Sequence, residues 1–446
     1  MLKRLGKFFD RNSSKKNDGL HRVLNSHEHS LNPNKICKHA REIVRVLQKN
    51  NYEAYVVGGC VRDLLLDLNP KDFDIATNAT PQQVKRLFRR SRIIGRRFQI
   101  VHVQFGRELI EVTTFRSNNA DQNGKVQQSA SGVLTRDNMF GSLLDDASRR
   151  DLSINALYYD TEKSTLHDFC DGLEDLAKRK IRIIGDPATR YSEDPVRLLR
   201  AVRFAAKLGF HIDNKSLKPI AKMADSLQHV SAPRMFDETL KLFMSGYGLA
   251  VFQLLYEYRL FAQLVPQANR LIDQGHPTAK NMVEQALTNT DLRIRSNKRV
   301  TPAFIYAALL WPSVQKIAAE YEKQGHPAAS AMSKAANEVI GNQIPITAIP
   351  RRFTMAMREI WAMQLTLVKR GGNRASRSME NPRFRAAYDF ILLREQTGES
   401  LNGLGDWWTR YQDVSEEERD NIVQQLNSGK PRKRRPRRRP QRSNNA

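Results

Sequence analysis

The sequence predicts an α+β protein: a head with a small mixed β-sheet and flanking helices, followed by an all-helical C-terminal half. Three observations carry this. Between about Ile36 and Phe115, short β-type runs alternate with segments of helical periodicity. After about Asp171 the pattern turns to long helical segments with few strand signals. The chain has 446 residues, 40% hydrophobic, enough for a sizeable core and, at roughly 150 residues per domain, for two to four domains.

In chain order, residues 1 to about 34 are polar and rich in Asn, Ser, Lys and His, and read as a flexible arm. Ile36, Ala40, Ile43, Val44 and Leu47 then follow the spacing of an amphipathic helix. Tyr55 to Val57 is a β-type run stopped by Gly58-Gly59, and the next helix packs Leu64 to Leu66 inward until Asn69-Pro70 breaks it. Phe73 to Ala76 reads as a second strand and Thr80 to Arg90 as a helix. Ile100 to Phe105 and Leu109 to Phe115 form a hairpin around Gly106. Ser117 to Gly141 is loop-like. Helical segments follow, among them Pro195 to Leu208, Pro302 to Leu310, Ala329 to Ile340 and Phe384 to Leu393. The stretch from 430 to 442, KPRKRRPRRRPQR, cannot bury a core, and its prolines forbid a regular helix, so it reads as a disordered basic arm.

Net charge narrows the partners. Lys and Arg exceed Asp and Glu by 26, and Lys430 to Ala446 supplies only nine of those charges. A surplus spread along the chain favours a polyanion, nucleic acid before an acidic membrane, because phosphates bind distributed Lys and Arg and release counterions. Three scattered cysteines, Cys37, Cys60 and Cys170, are too few for a disulfide framework or a Cys-based zinc site and suit a reducing interior. No apolar run approaches the roughly 20 residues of a membrane span, and no signal peptide is evident, so a cytoplasmic location is expected. Met1 to Phe9 mixes Leu and Phe with Lys and Arg; peripheral contact with an anionic bilayer ranks below a plain solvated tail.

The strongest chemical signal lies between Tyr55 and Thr80. In an extended strand the carboxylates of Asp72 and Asp74 share a face while Phe73 turns to the core. Two acids so placed repel each other unless a cation lies between them, and hard oxygen ligands with open positions suit Mg²⁺. Gly58-Gly59, between a strand and a helix start, offers free N–H groups and close approach to a phosphate. Arg62 adds a charged fork that Asp63 is placed to orient. A phosphate cradle followed by an acid pair fits nucleotidyl transfer. Taken singly, an Asp-x-Asp is more often a solvated pair and a Gly-Gly only a turn; order and spacing together raise the chemical reading to about even odds.

GGCVRD and KDFDIAT resemble the head of the class II nucleotidyltransferases, which comprise CCA-adding enzymes and bacterial poly(A) polymerases. The resemblance continues through IEVTTFR at 110 to 116, RRDLSINALYYD at 149 to 160 and RYSEDPVRLLRAVRFAAKLGF at 190 to 210. It implies that Asp72 and Asp74 hold two Mg²⁺ ions, with Mn²⁺ an alternative, and that Gly58, Gly59 and Arg62 bind the triphosphate. It implies further that Arg150 approaches the ribose and that Asp151 is the third active-site carboxylate, with Glu111 its rival. Where family members carry Phe and Thr, this chain has Leu152 and Ser153. The helix after EDPVR would read the base through Asp194 and Arg197 and reach phosphate through Arg200 and Arg203. Without the upstream motifs, an N-capped helix with solvated arginines would be the preferred reading, at roughly three to one.

The stretch IIGRRFQIVHV, from Ile93 to Val103, resembles the poly(A) polymerases more than the CCA-adding enzymes, as do RRFTMAMREIWAMQ at 351 to 364, ENPRFRAAYDFILLR at 380 to 394 and the arginine-rich tail. The resemblance thus implies template-independent polyadenylation of RNA 3′ ends with ATP as substrate, CCA addition to tRNA being the alternative. It divides the chain into an arm at 1–34, a catalytic head at 35–165, a base-reading neck at 166–240, an RNA-binding body at 241–428 and a tail at 429–446. Basic residues placed to grip RNA are Arg96, Arg97, Lys369, Arg370, Arg374, Arg432, Arg434 and Arg435. Trp361, Phe353 and Phe384 lie among such charges, but core packing is the better reading of their helical spacing. His102 reads as a structural strand residue. RNA-decay or RNA-chaperone proteins are possible further partners.

Overall fold

The computed structural model describes residues 21–95, 99–117, 127–128, 134–136 and 140–428. Its contacts group into two compact units, Met1–Leu264 and Val265–Ala446.

The first unit is built on an eight-stranded sheet: β1 (Arg22–Leu24), β2 (Ala54–Val57), β3 (Asp74–Thr77), β4 (Ser91–Ile94), β5 (Ile100–Phe105), β6 (Glu108–Thr114), β7 (Leu157–Asp160) and β8 (Thr165–Asp168). The spatial order is β1-β8-β7-β2-β3-β6-β5-β4. Only β3 and β6 run parallel in this sheet; its other pairs are antiparallel. Helix α1 (Lys38–Lys49) buries Ala40, Ile43, Val44 and Leu47, the stripe its spacing foretells. On β6, Ile110 and Val112 are buried while Glu111 and Thr113 face the other side. That alternation separates an apolar face from a polar one. Helix α2 (Gly59–Leu65) follows β2 directly, α3 (Pro81–Leu87) follows β3, and α4 (Leu143–Arg149) precedes β7. Two more helices complete the parts used below, α5 (Pro187–Glu193) and α6 (Val196–Leu208).

Three expectations differ from the structure. Residues 22–24 of the supposed arm pair with β8, Arg22 opposite Asp168, as an edge strand too short to show periodicity. The helix expected over Thr80 to Arg90 stops at Leu87, where Phe88 is extended, and the chain turns into β4. Thr80 and Gln83 form a capping box at its start. In the segment expected to be loop, Gln127–Gln128 pairs with Leu134–Arg136.

The second unit is helical throughout its described residues, including α7 (Ala279–Arg295), α8 (Pro302–Lys323), α9 (Ala328–Gln343), α10 (Arg351–Leu367), α11 (Phe384–Gln396) and α12 (Leu404–Asp413). Leu367, Phe384, Tyr388, Ile391 and Trp408 share one core. Trp361 is fully buried and donates its indole N–H to the Ala307 carbonyl at 3.2 Å, so its spacing among charges reflects packing.

Candidate active site

Strand register assembles the acids. Asp74 opens β3, with Val57 opposite it on β2 and Glu111 opposite it on β6. Directly paired residues on adjacent strands share a face, so the Asp74 and Glu111 carboxylates emerge side by side. The row continues to His102 on β5 and Arg92 on β4. His102 Nε2 lies 3.3 Å from a Glu111 carboxylate oxygen. Asp72, exposed, adds its charge two residues before Asp74. Burial, then Glu111, pushes the Asp74 carboxyl up to about 6; Asp72 adds to this, and Arg150 opposes it.

A measurable consequence follows for stability. The folded value near 6 exceeds the unfolded 3.8, so folding takes up a proton between them. This contribution is fully present below pH 4 and is lost as pH rises through 6. Asp74→Asn is therefore expected to stabilise the metal-free protein at pH 8 by about 1–2 kcal/mol and to change nothing at pH 4. Thermal unfolding with chelator at both pH values checks this, and an equal difference at the two would contradict it.

The glycine turn lies beside the acids. Gly58 has φ +82°, a left-handed conformation that a side chain resists, and a Cβ there would come within 3.4 Å of Arg150 Nη1. Arg150 is fixed over this turn by Asp146, at 3.0 Å, and by the Tyr158 hydroxyl, at 2.8 Å. Gly59 is the first residue of α2. Arg62 is only 2% exposed; its guanidinium donates to Asp63 at 2.8 Å and to Asn155 at 2.7 Å and lies 4.9 Å from the Phe204 ring centroid. Asp63 thus orients Arg62, and the pair braces the turn from behind.

A cluster of arginines flanks this turn. Burial and then the charges of Arg116, Arg190, Arg197 and Arg150 depress Arg149 to about 9. Like charges packed this closely are costly, and Asp146 beside Arg150 and Glu193 beside Arg190 and Arg197 offset part of that cost. Arg197, on α6, donates to Glu193 at 2.9 Å and to the Arg190 carbonyl at 2.8 Å. Asp194 accepts from Arg234 at 2.7 Å. Asp194 and Arg197 therefore each arrive with a partner that sets their orientation. Arg203 lies 5.0 Å from the Phe204 centroid, next to Arg200.

Asp151 does not join the acid row. Its carboxylate is bound by Arg200 and accepts the Leu152 N–H at 2.8 Å. Burial alone would raise its pKa, but Arg200 and Arg197 override this and hold it well below the usual carboxylate range. The residue paired with Asp74 across the sheet is Glu111, while Asp151 and Arg200 are held to each other by an ion pair. Arg149, Arg190 and Arg234 were not singled out by sequence, although the first two stand inside the quoted motifs. Their signal, Arg adjacent to Arg-Asp and Arg three residues before Glu193, acquires meaning only once α4, α5 and α6 converge.

In the second unit, Arg370 lies 5.0 Å from the Trp407 centroid and Arg374 opens a short helix after Lys369. Arg96, Arg97, Arg432, Arg434 and Arg435 lie outside the described residues.

A sheet that sets a carboxylate pair beside a glycine turn and an arginine cluster defines a nucleotidyltransferase. Family profiles agree in detail: "Poly A polymerase head domain" matches residues 54–182, "Probable RNA and SrmB- binding site of polymerase A" residues 209–272 and "Polymerase A arginine-rich C-terminus" residues 324–443. The chain is 42% identical to poly(A) polymerase I of Haemophilus influenzae, over 94% of either chain. A CCA-adding enzyme of Geobacillus sp. is 39% identical over 50% of this chain and 53% of its own. A solved structure, "Structure of tRNA-processing enzyme complex 3", superposes with a TM-score of 0.58 at 20% identity, covering 86% of this chain and 98% of that one, and supports the fold. The chain belongs to the bacterial poly(A) polymerase family.

Proposed function

We propose that this protein extends RNA 3′ ends with AMP taken from ATP, without a template, releasing pyrophosphate. The observation that carries this is the similarity to poly(A) polymerase I along nearly the whole length, whereas the CCA-adding relative matches only half. The acid row fits divalent cations: its donors are hard carboxylate oxygens, and Asp74 is held at a raised pKa by burial and then by its acidic neighbours. Asp72 and Asp74 would hold the ions, Mg²⁺ by availability, with Glu111 completing the set. Bound there, such ions supply Lewis acidity for both the attacking and the leaving oxygen.

The residues of the chain do the remaining work. The Gly58-Gly59 turn and the Arg149–Arg150 cluster position the triphosphate, and Asp194 and Arg197 face the base with Arg234 and Glu193 fixing their orientation. The RNA 3′-hydroxyl attacks the α-phosphate, the bond to the bridging oxygen breaks, and pyrophosphate departs. No side chain needs to form a covalent intermediate. Basic residues of the body and tail would hold RNA through phosphate, independent of sequence. A role in mRNA processing and decay, a cytoplasmic setting suited to three free cysteines, and contacts with RNA-decay or RNA-chaperone proteins belong to the same reading. Met1 to Phe9, where contact with an anionic bilayer ranks below a solvated tail, lies outside the described residues.

Purified protein offered each of the four nucleoside triphosphates with an oligo(A) primer is expected to add AMP in long runs. Addition of C to a tRNA lacking its end, in preference to A, would favour CCA addition. Removing Lys430 to Ala446 is expected to weaken RNA binding and flatten its dependence on salt, because up to nine phosphate-neutralising charges leave with it. An unchanged slope of log affinity against log salt would show that the tail touches no phosphate.

A further inference from the structure

A cluster of side chains with metal-ligand chemistry stands on the opposite side of the sheet from the acid row. Cys37, His39 and Glu108 bring a sulfur, a ring nitrogen and a carboxylate oxygen within 4.8 Å of one another. Cys37 and His39 lie at the start of α1, and Glu108 opens β6 some seventy residues later. Glu108 and Glu111 are three residues apart on β6, an odd spacing, so they point to opposite faces.

We propose that Cys37, His39 and Glu108 form a binding site for a thiophilic divalent metal ion of the zinc class. Cys37 occupies the N-cap position, where a side chain ordinarily accepts from the helix, yet it makes no capping bond. Its thiol points instead at Glu108, 3.2 Å away. His39 directs Nδ1 at the other Glu108 oxygen. The imidazole is not free to turn: it stacks on Phe105, 4.4 Å between centroids and 11° between planes. Donors around tetrahedral zinc stand about 3.5 Å apart, so small adjustments would close the site. The three ligands leave a fourth position for water, and sulfur with imidazole selects zinc over magnesium. Burial, followed by the Glu108 contact, raises the Cys37 thiol pKa, so the metal must displace its proton to solvent as the metal–sulfur bond forms. The bound ion would tie the start of α1 to the β5–β6 hairpin.

The test uses the full-length protein, stripped with chelator and titrated with Co²⁺ as a spectroscopic probe in millimolar Mg²⁺. The expected result is one equivalent bound, a thiolate-to-cobalt absorption band, release of a proton, and displacement by one equivalent of Zn²⁺. Cys37→Ser keeps a good N-cap residue and should abolish the band; His39→Ala and Glu108→Gln should each weaken binding at least tenfold, while Cys170→Ser should change nothing. Circular dichroism of each variant establishes that it is folded. Absence of the band in the wild type, or a band that survives Cys37→Ser, would overturn the proposal and leave the cluster as an ordinary surface ion pair.

Discussion

Asp74→Ala is expected to abolish AMP incorporation, with kcat falling on the order of 10³-fold or more, equivalent to about 4 kcal/mol of transition-state stabilisation. Asp72→Ala should do the same. RNA affinity should hardly move in either variant, because phosphate is gripped by basic residues elsewhere and the acid pair repels it. Single-turnover AMP addition together with filter binding of labelled RNA separates these effects. Asp74 is fixed between Val57 and Glu111 by strand register, and its carboxylate emerges in the middle of the acid row. Turnover within tenfold of wild type in either variant would remove the acid pair from the mechanism.

Asp151 and Glu111 should fail in different ways. Asp151→Ala leaves the half-buried Arg200 without its partner, a change that costs about 1–3 kcal/mol of stability. Its activity, measured well below the lowered unfolding temperature, should keep the wild-type dependence on Mg²⁺ concentration. Glu111→Gln should do the reverse: near-native unfolding, a raised Mg²⁺ requirement and a lower kcat. Double replacement of Asp151 and Arg200 by Asn and Met should recover part of the stability lost in Asp151→Ala, since the stranded charge is then gone. Should Asp151→Ala unfold normally while demanding more Mg²⁺, the assignment of the two carboxylates would have to be exchanged.

The site divides into a part written locally in the chain and a part created by folding. The nearness of Asp72 to Asp74 and the glycine turn, where a β-type run meets a helix, needed only neighbours in sequence, although the strand itself begins at Asp74 rather than Phe73. The stripe of α1 was equally plain, since Ala40, Ile43, Val44 and Leu47 carry the full helical period. Glu111 could not be ranked, because its place beside Asp74 depends on β3 and β6 running parallel, a crossover that periodicity does not encode. The pairing of Asp151 was equally hidden: adjacent to Arg150 in sequence, it turns to Arg200, forty-nine residues on. Arg234 became visible only when its helix brought it to Asp194. The edge strand at Arg22–Leu24 and the early end of α3 were hidden by length, since three or four residues are too few to show a period.

The central claim is that Asp72 and Asp74 hold divalent ions beside the triphosphate, next to the Gly58-Gly59 turn. Anomalous diffraction from crystals grown with Mn²⁺ and a non-hydrolysable ATP analogue tests it most directly. Manganese peaks within bonding distance of both carboxylates, with phosphate oxygens over the turn, are the predicted result. Peaks elsewhere, or a triphosphate bound away from Gly58, would contradict it.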